Sequence, residues 1–179
     1  IGFIGLGNVG GKLANNLLNN KFDVIVLDKD TKITDEFESN GCKVSKSIED
    51  IVEKTDIIIT CLPSPQACAE VLESENGLIK KIRNDQIWIE MSTTDEDQLK
   101  RHASLIESKN AIALEAPVSG GCHRAATGNI SIFVGGSREG FEKALPVLKC
   151  LGRKILNTGD FGTASILKVI TNYLATVHL

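Results

Sequence analysis

No apolar run in these 179 residues approaches the roughly 18 that a membrane-spanning helix needs. Neither sign of charge dominates: 20 Lys and Arg stand against 23 Asp and Glu, a formal net charge of −3. Nucleic acid and an anionic membrane surface are therefore not expected as partners. The five cysteines, Cys42, Cys61, Cys68, Cys122 and Cys150, contain no C-x-x-C pair. The three histidines, His102, His123 and His178, are scattered and give no zinc-type spacing, so no metal site is expected. An odd number of cysteines without pairing spacing reads as free thiols in a reducing compartment, and we expect a cytoplasmic protein. Only Cys122 has a His beside it, and no recognisable pattern makes any of the five a nucleophile. Internal repeats and low-complexity tracts are also missing, and no secretory leader is visible in this stretch. The chain begins at Ile1, without Met and inside an apolar run, so we expect the N-terminus to be clipped by a residue or more.

What the sequence has is 42% hydrophobic and 24% charged residues, a globular composition, and enough length for one domain with a real core and part of a second. The stretch around which the rest is organised is Ile1 to Gly11, IGFIGLGNVGG. A short apolar run leads into Gly5, Gly7 and Gly10 in the pattern G-x-G-x-x-G, and an apolar helical stretch comes after it. In a strand–turn–helix unit of this kind, the first glycine allows the tight turn and the second lets backbone approach a pyrophosphate. The third lets the helix pack close to the strand. The helix N-terminus adds free N–H groups and partial positive charge for the anion.

Strand and helix signals then alternate. Leu13, Ala14, Leu17 and Leu18 mark a helix over about 11–20, and the β-branched run 22–27 marks a strand ending at Asp28. A helix over 33–39 stops at Asn40-Gly41, and a short strand is expected at 43–44. Ser47 reads as an N-cap with Asp50 three residues on. Strands are expected at 56–61, 86–90, 111–116, 130–134 and 153–156. Helices are expected from Pro65 to about Leu72, over 95–108, and from a Ser137 cap to about Lys149, with Gly135-Gly136 ending the strand before it. This is the pattern of a Rossmann-type, doubly wound α/β fold with a mostly parallel sheet. Its crevice lies outside the carboxyl ends of the strands, so chemistry is expected just after Leu6, Asp28, Cys61, Glu90 and Ala116. The final stretch, 163–179, is apolar over most of a helix surface, as in a helix buried on several sides. We expect it to lead into a second domain beyond Leu179, with residues 1–158 as the dinucleotide-binding domain and 159–179 as the start of an interdomain helix.

Asp28 lies 18 residues after Gly10, close to the roughly 20 expected of the acid that bonds the adenosine ribose hydroxyls. A carboxylate there repels a 2′-phosphate and favours NAD over NADP; Lys29 beside it could do the opposite. Glu115 to Gly121, EAPVSGG, puts a hydroxyl and bare N–H groups at a strand end. That suits both a carboxylate-binding nest and a plain flexible turn. Lys168 and Asn172, four apart, share a helix face and interrupt its apolar surface. Periodicity alone favours a snorkelling lysine.

Together these segments resemble the β-hydroxyacid dehydrogenase family, nearest to its 3-hydroxyisobutyrate branch. Ile4-Gly5-Leu6-Gly7-Asn8-Val9-Gly10 with Ala14 and Asn16 looks like the family's N-terminal signature, Leu62-Pro63-Ser64 like its cofactor loop, and Ser92-Thr93 like the segment near the nicotinamide. Ala116 to Gly121, with Gly128 and Gly135-Gly136 after it, resembles its substrate motif. Gly159, Gly162, Lys168 and Asn172 resemble its catalytic G-x-x-G-x(5)-K-x-x-x-N element. The resemblance implies a Rossmann domain followed by an all-helical domain, a homo-oligomer, a catalytic Lys168 assisted by Asn172, and a substrate carboxylate held by Ser119, Gly120 and Gly121. It implies that Gly5, Leu6, Gly7, Asn8, Val9, Gly10, Asp28, Leu62, Pro63 and Thr93 bind the cofactor. Departures are Val9 and Leu13 where Met is usual, Glu115 for the usual Asp, and Cys122-His123-Arg124 after the substrate motif, which bears on substrate identity. Thr171 stands where 6-phosphogluconate dehydrogenases have His, and Lys168 argues against imine reductases.

The expected activity is reversible, NAD-dependent oxidation of a small β-hydroxy acid to its semialdehyde or β-oxo acid. An NADP-dependent reductase of a small semialdehyde or of glyoxylate is the alternative within the family. A dinucleotide-binding sensor without turnover is the alternative outside it.

Overall fold

The computed structural model describes residues 1–177. Six strands run parallel: β1 (Gly2–Ile4), β2 (Ile25–Leu27), β3 (Lys43–Val44), β4 (Ile57–Thr60), β5 (Ile87–Glu90) and β6 (Ile112–Glu115). Their spatial order is β3-β2-β1-β4-β5-β6. The chain winds outward from β1 through β2 to β3, then returns to the other side of β1 with β4. That reversal leaves a crevice at the carboxyl ends of β1 and β4.

Successive residues of one strand point to opposite faces, and each face has its own core. Phe3, Val26, Ile59, Ile89 and Leu114 pack with Leu13, Ala14 and Leu17 of α1 (Gly10–Asn19) and with Phe37 of α2 (Thr31–Ser39). Their neighbours Ile4, Ile25, Ile58, Trp88 and Ala113 pack on the other face. They meet α3 (Ile48–Lys54), α4 (Pro65–Glu73), α5 (Leu78–Lys81) and α6 (Glu96–Glu107) through Ile51, Leu72, Leu78 and Leu99. Short apolar strands without polar alternation are what a sheet covered on both faces requires.

After β6 the winding changes. β7 (Val118–Ser119), α7 (Gly121–Ala126), β8 (Ile130–Gly136), α8 (Arg138–Leu151), β9 (Gly152–Gly159) and α9 (Thr163–Val177) complete the described residues. β8 lies antiparallel to β6 and β7 and parallel to β9. The first core extends over this part through Ile130, Ile132 and Val134 of β8 and Ala144, Val147, Leu148 and Leu151 of α8.

Helix starts obey the capping signals. Ser47 accepts from Asp50 N–H, Ser64 from Ala67 N–H with Pro65 in the first turn, and Ser137 from Gly140 N–H. Gly41, at φ +81°, closes the turn after α2. The expected strand at 22–27 is shorter, because Phe22 N–H bonds back to Leu17 O and Lys21 turns left-handed at φ +66°, so both belong to the exit from α1. Gly135-Gly136 does not end β8. Both pair with β6, opposite Glu115 and Leu114, and the strand is two residues longer than expected. β9 is likewise longer than 153–156, drawn out by its pairing with β8. Three elements go beyond the sequence expectation: α5, β7 and α7. The last helix is apolar over most of its surface, as expected, and among the described residues little of the chain covers it. In α9 only Ala164 is buried, while Ile166, Val169, Ile170, Tyr173, Leu174 and Val177 are exposed. Positions 178 and 179 of that expected helix lie outside the described residues.

Candidate active site

A cleft of about 860 Å³ opens at the β1–β4 reversal. Its floor is the glycine loop. Gly5 sits at φ +94°, and a Cβ there would meet Cys61 O at 2.4 Å, so side-chain-bearing residues are excluded by both strain and space. A Cβ on Gly10 would stand 2.0 Å from Gly5 O, which is how α1 starts directly against the end of β1. A Cβ on Gly7, which lines the cleft, would meet nothing within 4 Å. No side chain caps α1, and its first turn holds no acid. Gly11 N–H is spent on Gly7 O and Lys12 and Leu13 N–H on Val9 O, but no side chain competes for the partial positive charge at the start of the helix. An uncapped helix start beside a bare glycine fits a pyrophosphate.

At one end of the cleft Asp28 comes just after β2. Its Oδ2 accepts Leu6 N–H at 2.6 Å and its Oδ1 accepts Asp30 N–H at 2.9 Å. These bonds fix the carboxylate while leaving each oxygen a further acceptor site for ribose hydroxyls. Lys29, Lys46, Ile33, Ile48, Glu70, Val71 and Ser74 line the same cleft. Lys29 and Lys46 thus line the cleft with Asp28, and Lys46 is unforeseen although it lies just past the end of β3.

At the other end Leu62-Pro63 lies after β4, and Met91-Ser92-Thr93 after β5. A buried hydrogen-bond chain ties the two loops together. Trp88 Nε1–H donates to Thr60 Oγ1 at 2.9 Å, and the Thr60 hydroxyl donates to Glu90 Oε2 at 2.9 Å. Glu90 Oε1 accepts Ser92 N–H at 2.7 Å, and Ser92 Oγ accepts Leu62 N–H at 2.7 Å. Burial pushes the Glu90 carboxyl above its usual range, against the bonds from Ser92 and Thr60 that favour its ionised form. Cys61, which also lines the cleft, is pushed up to about 12, chiefly by burial, so it is a thiol and not a nucleophile at neutral pH.

Lys168 of α9 reaches this cleft, together with Val118, Gly121 and Ile130. It is half-buried, and desolvation lowers its pKa below that of an ordinary lysine. The structure therefore gathers Gly5, Gly7, Asn8, Val9, Gly10, Asp28, Leu62, Pro63, Thr93, Gly121 and Lys168 in one cleft. It does not bring Leu6, Ser119, Gly120 or Asn172 to the cleft wall. Leu6 needs correcting as a cofactor contact: its side chain is buried and its N–H is spent on Asp28. Ser119 and Gly120 lie just outside, Gly120 at φ +135°, with the stem of Arg124 so close that a Cβ on Gly120 would meet Arg124 Cδ at 2.9 Å. Asn172 is exposed, one turn beyond Lys168.

The family model described as the NAD-binding domain of 6-phosphogluconate dehydrogenase matches residues 1–159. Among curated proteins, the mitochondrial 3-hydroxyisobutyrate dehydrogenase of Mus musculus is 36% identical over 179 residues, which is 100% of this chain and 53% of that protein. The NAD-dependent L-serine dehydrogenase of Pseudomonas aeruginosa is 32% identical over 177 residues, 99% of this chain and 59% of that one. Among solved structures, the Mycobacterium tuberculosis 3-hydroxyisobutyrate dehydrogenase with L-serine superposes with a TM-score of 0.89 at 28% identity, over 98% of this chain and 60% of that one. The chain thus spans about half the length of the mouse relative.

Proposed function

The chain belongs to the β-hydroxyacid dehydrogenase family, whose NAD-binding domain it carries, and from that premise we propose that it serves the reversible, NAD-linked oxidation of a small β-hydroxy acid, with Lys168 as the group that moves the proton. The observation that carries this reading is the half-buried Lys168 in the same cleft as the glycine loop, Thr93 and Gly121. A dinucleotide sensor has no use for a desolvated amine there.

The glycine loop and the start of α1 would hold the pyrophosphate, Asp28 the adenosine ribose, and Leu62, Pro63 and Thr93 the nicotinamide end. When bound, NAD supplies the hydride acceptor. In the oxidation direction Lys168 Nζ must be neutral to accept the hydroxyl proton. Its burial favours that form, which an ordinary lysine reaches only near pH ~10.4. In reduction the protonated amine returns the proton to the carbonyl oxygen. Gly121 lines the same cleft as Lys168, which supports assigning the substrate carboxylate to the Ser119–Gly121 turn, with Asn172 as helper in orienting substrate.

One observation favours a second reading of cofactor choice. Lys29 and Lys46 line the cleft with Asp28 and could serve a 2′-phosphate, as an NADP-dependent reductase of a small semialdehyde would require. The boundary between the dinucleotide-binding domain and the interdomain segment is assigned to 158/159, at the end of β9. Free cysteines accord with the cytoplasm and equally with the mitochondrial setting named for the mouse relative; fractionation decides between them. No helix of the described residues is long and apolar enough to cross a membrane.

The activity is tested by monitoring NADH absorbance with a panel of 3-hydroxy acids that includes 3-hydroxyisobutyrate and L-serine. Turnover of at least one, lost in Lys168→Ala by about 10²-fold or more, is the expected result. Full turnover in that variant removes the proposed role.

A further inference from the structure

We propose that Glu115 is the positioning residue that sets Lys168 in the cleft, by anchoring the N-terminus of the helix that carries it. The inference rests on the assignment of Lys168 made above. Glu115 ends β6 and is fully buried. Its Oε1 accepts Gly162 N–H at 2.7 Å and Ala164 N–H at 2.8 Å. Its Oε2 accepts Ser165 N–H at 3.2 Å and the Ser165 hydroxyl at 2.5 Å. Four donors from the first turn of α9 and the residue before it thus converge on one carboxylate. Such bonds to an ionised acceptor are stronger than neutral ones, and the carboxylate also complements the positive end of the helix.

The surroundings are built for this contact. Gly135 lies opposite Glu115 in the β6–β8 register, and a Cβ on Gly135 would stand 2.4 Å from Glu115 Oε1. The missing side chain is the space the carboxylate occupies. Lys168 comes three residues after Ser165, so a clamp on Ser165 fixes Lys168 about one turn along the same helix. On the other side of Glu115 the chain runs through Ala116, Pro117 and Val118 into the turn assigned to the substrate carboxylate. One strand end therefore sets both the turn and the amine. That matters because a misplacement of about 1 Å at a reacting group costs up to ~10²-fold in rate.

Glutamine in this position keeps the length but turns one acceptor into a donor facing Ser165 N–H or Gly162 and Ala164 N–H. In the intact enzyme, Glu115→Gln is expected to lower kcat by about 10²-fold while KM for NAD stays within about twofold, because Gly5–Gly10 and Asp28 lie in other elements. In the Lys168→Ala background the same change is expected to cost nothing further, since its effect passes through Lys168. Ser165→Ala, which removes one of the four donors and leaves the carboxylate paired, is expected to lower kcat several-fold with KM for NAD again unchanged, and it decides the matter if Glu115→Gln does not fold. Full kcat in Glu115→Gln, or in a folded Ser165→Ala when Glu115→Gln cannot be made, overturns the positioning role alone, provided Lys168→Ala is impaired. A further loss from Glu115→Gln on top of Lys168→Ala also overturns it. Full kcat in Lys168→Ala overturns instead the reading on which the proposal rests.

Discussion

Gly7 and Gly10 stand three residues apart in one loop, and the structure assigns opposite consequences to the same added methyl group. At Gly10 a Cβ would lie 2.0 Å from Gly5 O, 3.1 Å from Gly5 C and 3.3 Å from Cys61 Cβ, whereas ordinary contact begins at 3.4 Å. The shortfall against the carbonyl oxygen is about 1.4 Å, and the obstacle is backbone, so no rotamer change relieves it. Either α1 moves away from β1, opening the first core at Leu13, Ala14 and Leu17, or the glycine loop is distorted. Overpacking of this kind costs about 1–3 kcal/mol, and for a domain of this size 1 kcal/mol lowers Tm by ~2–4 °C. Gly10→Ala should therefore lower Tm by several degrees and weaken NADH binding as well. At Gly7 the methyl group meets nothing within 4 Å. Gly7→Ala should leave Tm within about a degree while weakening NADH about tenfold or more, roughly 1.4 kcal/mol, because the methyl group occupies the space a phosphate needs. Thermal unfolding of the apo protein and titration of NADH fluorescence separate the two quantities. If Gly7→Ala bound NADH normally, the pyrophosphate would not lie over Gly7. If Gly10→Ala were as stable as the parent, the close packing of α1 on β1 would be wrong.

The pH dependence of oxidation should track the neutral form of Lys168. Desolvation lowers its pKa, so kcat should rise with pH and level off below the ordinary lysine value of 10.5; a profile still rising through 10.5 would contradict the burial. Lys168→Arg should not restore activity, since Arg keeps its proton near neutral pH, and recovery of most of kcat would make Lys168 an electrostatic anchor. Asp28 predicts a higher kcat/KM with NAD than with NADP, and Asp28→Ser should narrow the gap by exposing a 2′-phosphate to Lys29 and Lys46; a parent enzyme that prefers NADP refutes the assignment. Arg124, whose stem covers Gly120, should favour substrates with a second anionic or polar group, so Arg124→Ala should change the ranking of 3-hydroxy acids, and an unchanged ranking removes the role.

Much of the cleft is legible in the sequence because its parts are local. The glycine spacing, the acid after the second strand and the Ser caps are each decided within a few residues by backbone freedom or by one side chain bonding a nearby N–H. The same locality explains the misses. That Leu6 N–H is spent on Asp28 depends on a contact across 22 residues. Gly135-Gly136 resembles a strand end because glycine usually weakens strands, whereas here its bare backbone makes room for Glu115, from a strand 20 residues earlier. The two-residue β7 and the short α5 and α7 carry too few residues for a periodic signal. Lys46 has a positional signal, the end of a strand, yet nothing in its own type distinguishes it from a solvated surface lysine.

The reversal of strand order between β1 and β4 divides the labour of the cleft between two wings of the sheet. Asp28, Lys29 and Lys46 come after β2 and β3 on one wing, while Thr93, Gly121 and Lys168 come after β5 and later elements on the other. The glycine loop and the Cys61-Leu62-Pro63 segment after β4 stand between them. On the roles proposed above, changes that retune which nucleotide is accepted can accumulate on the first wing without disturbing the second, and new substrates can be explored on the second at no cost to nucleotide choice. A lineage built on this sheet can drift along two independent axes, and a protein engineer can mutagenise one library per wing and combine the winners.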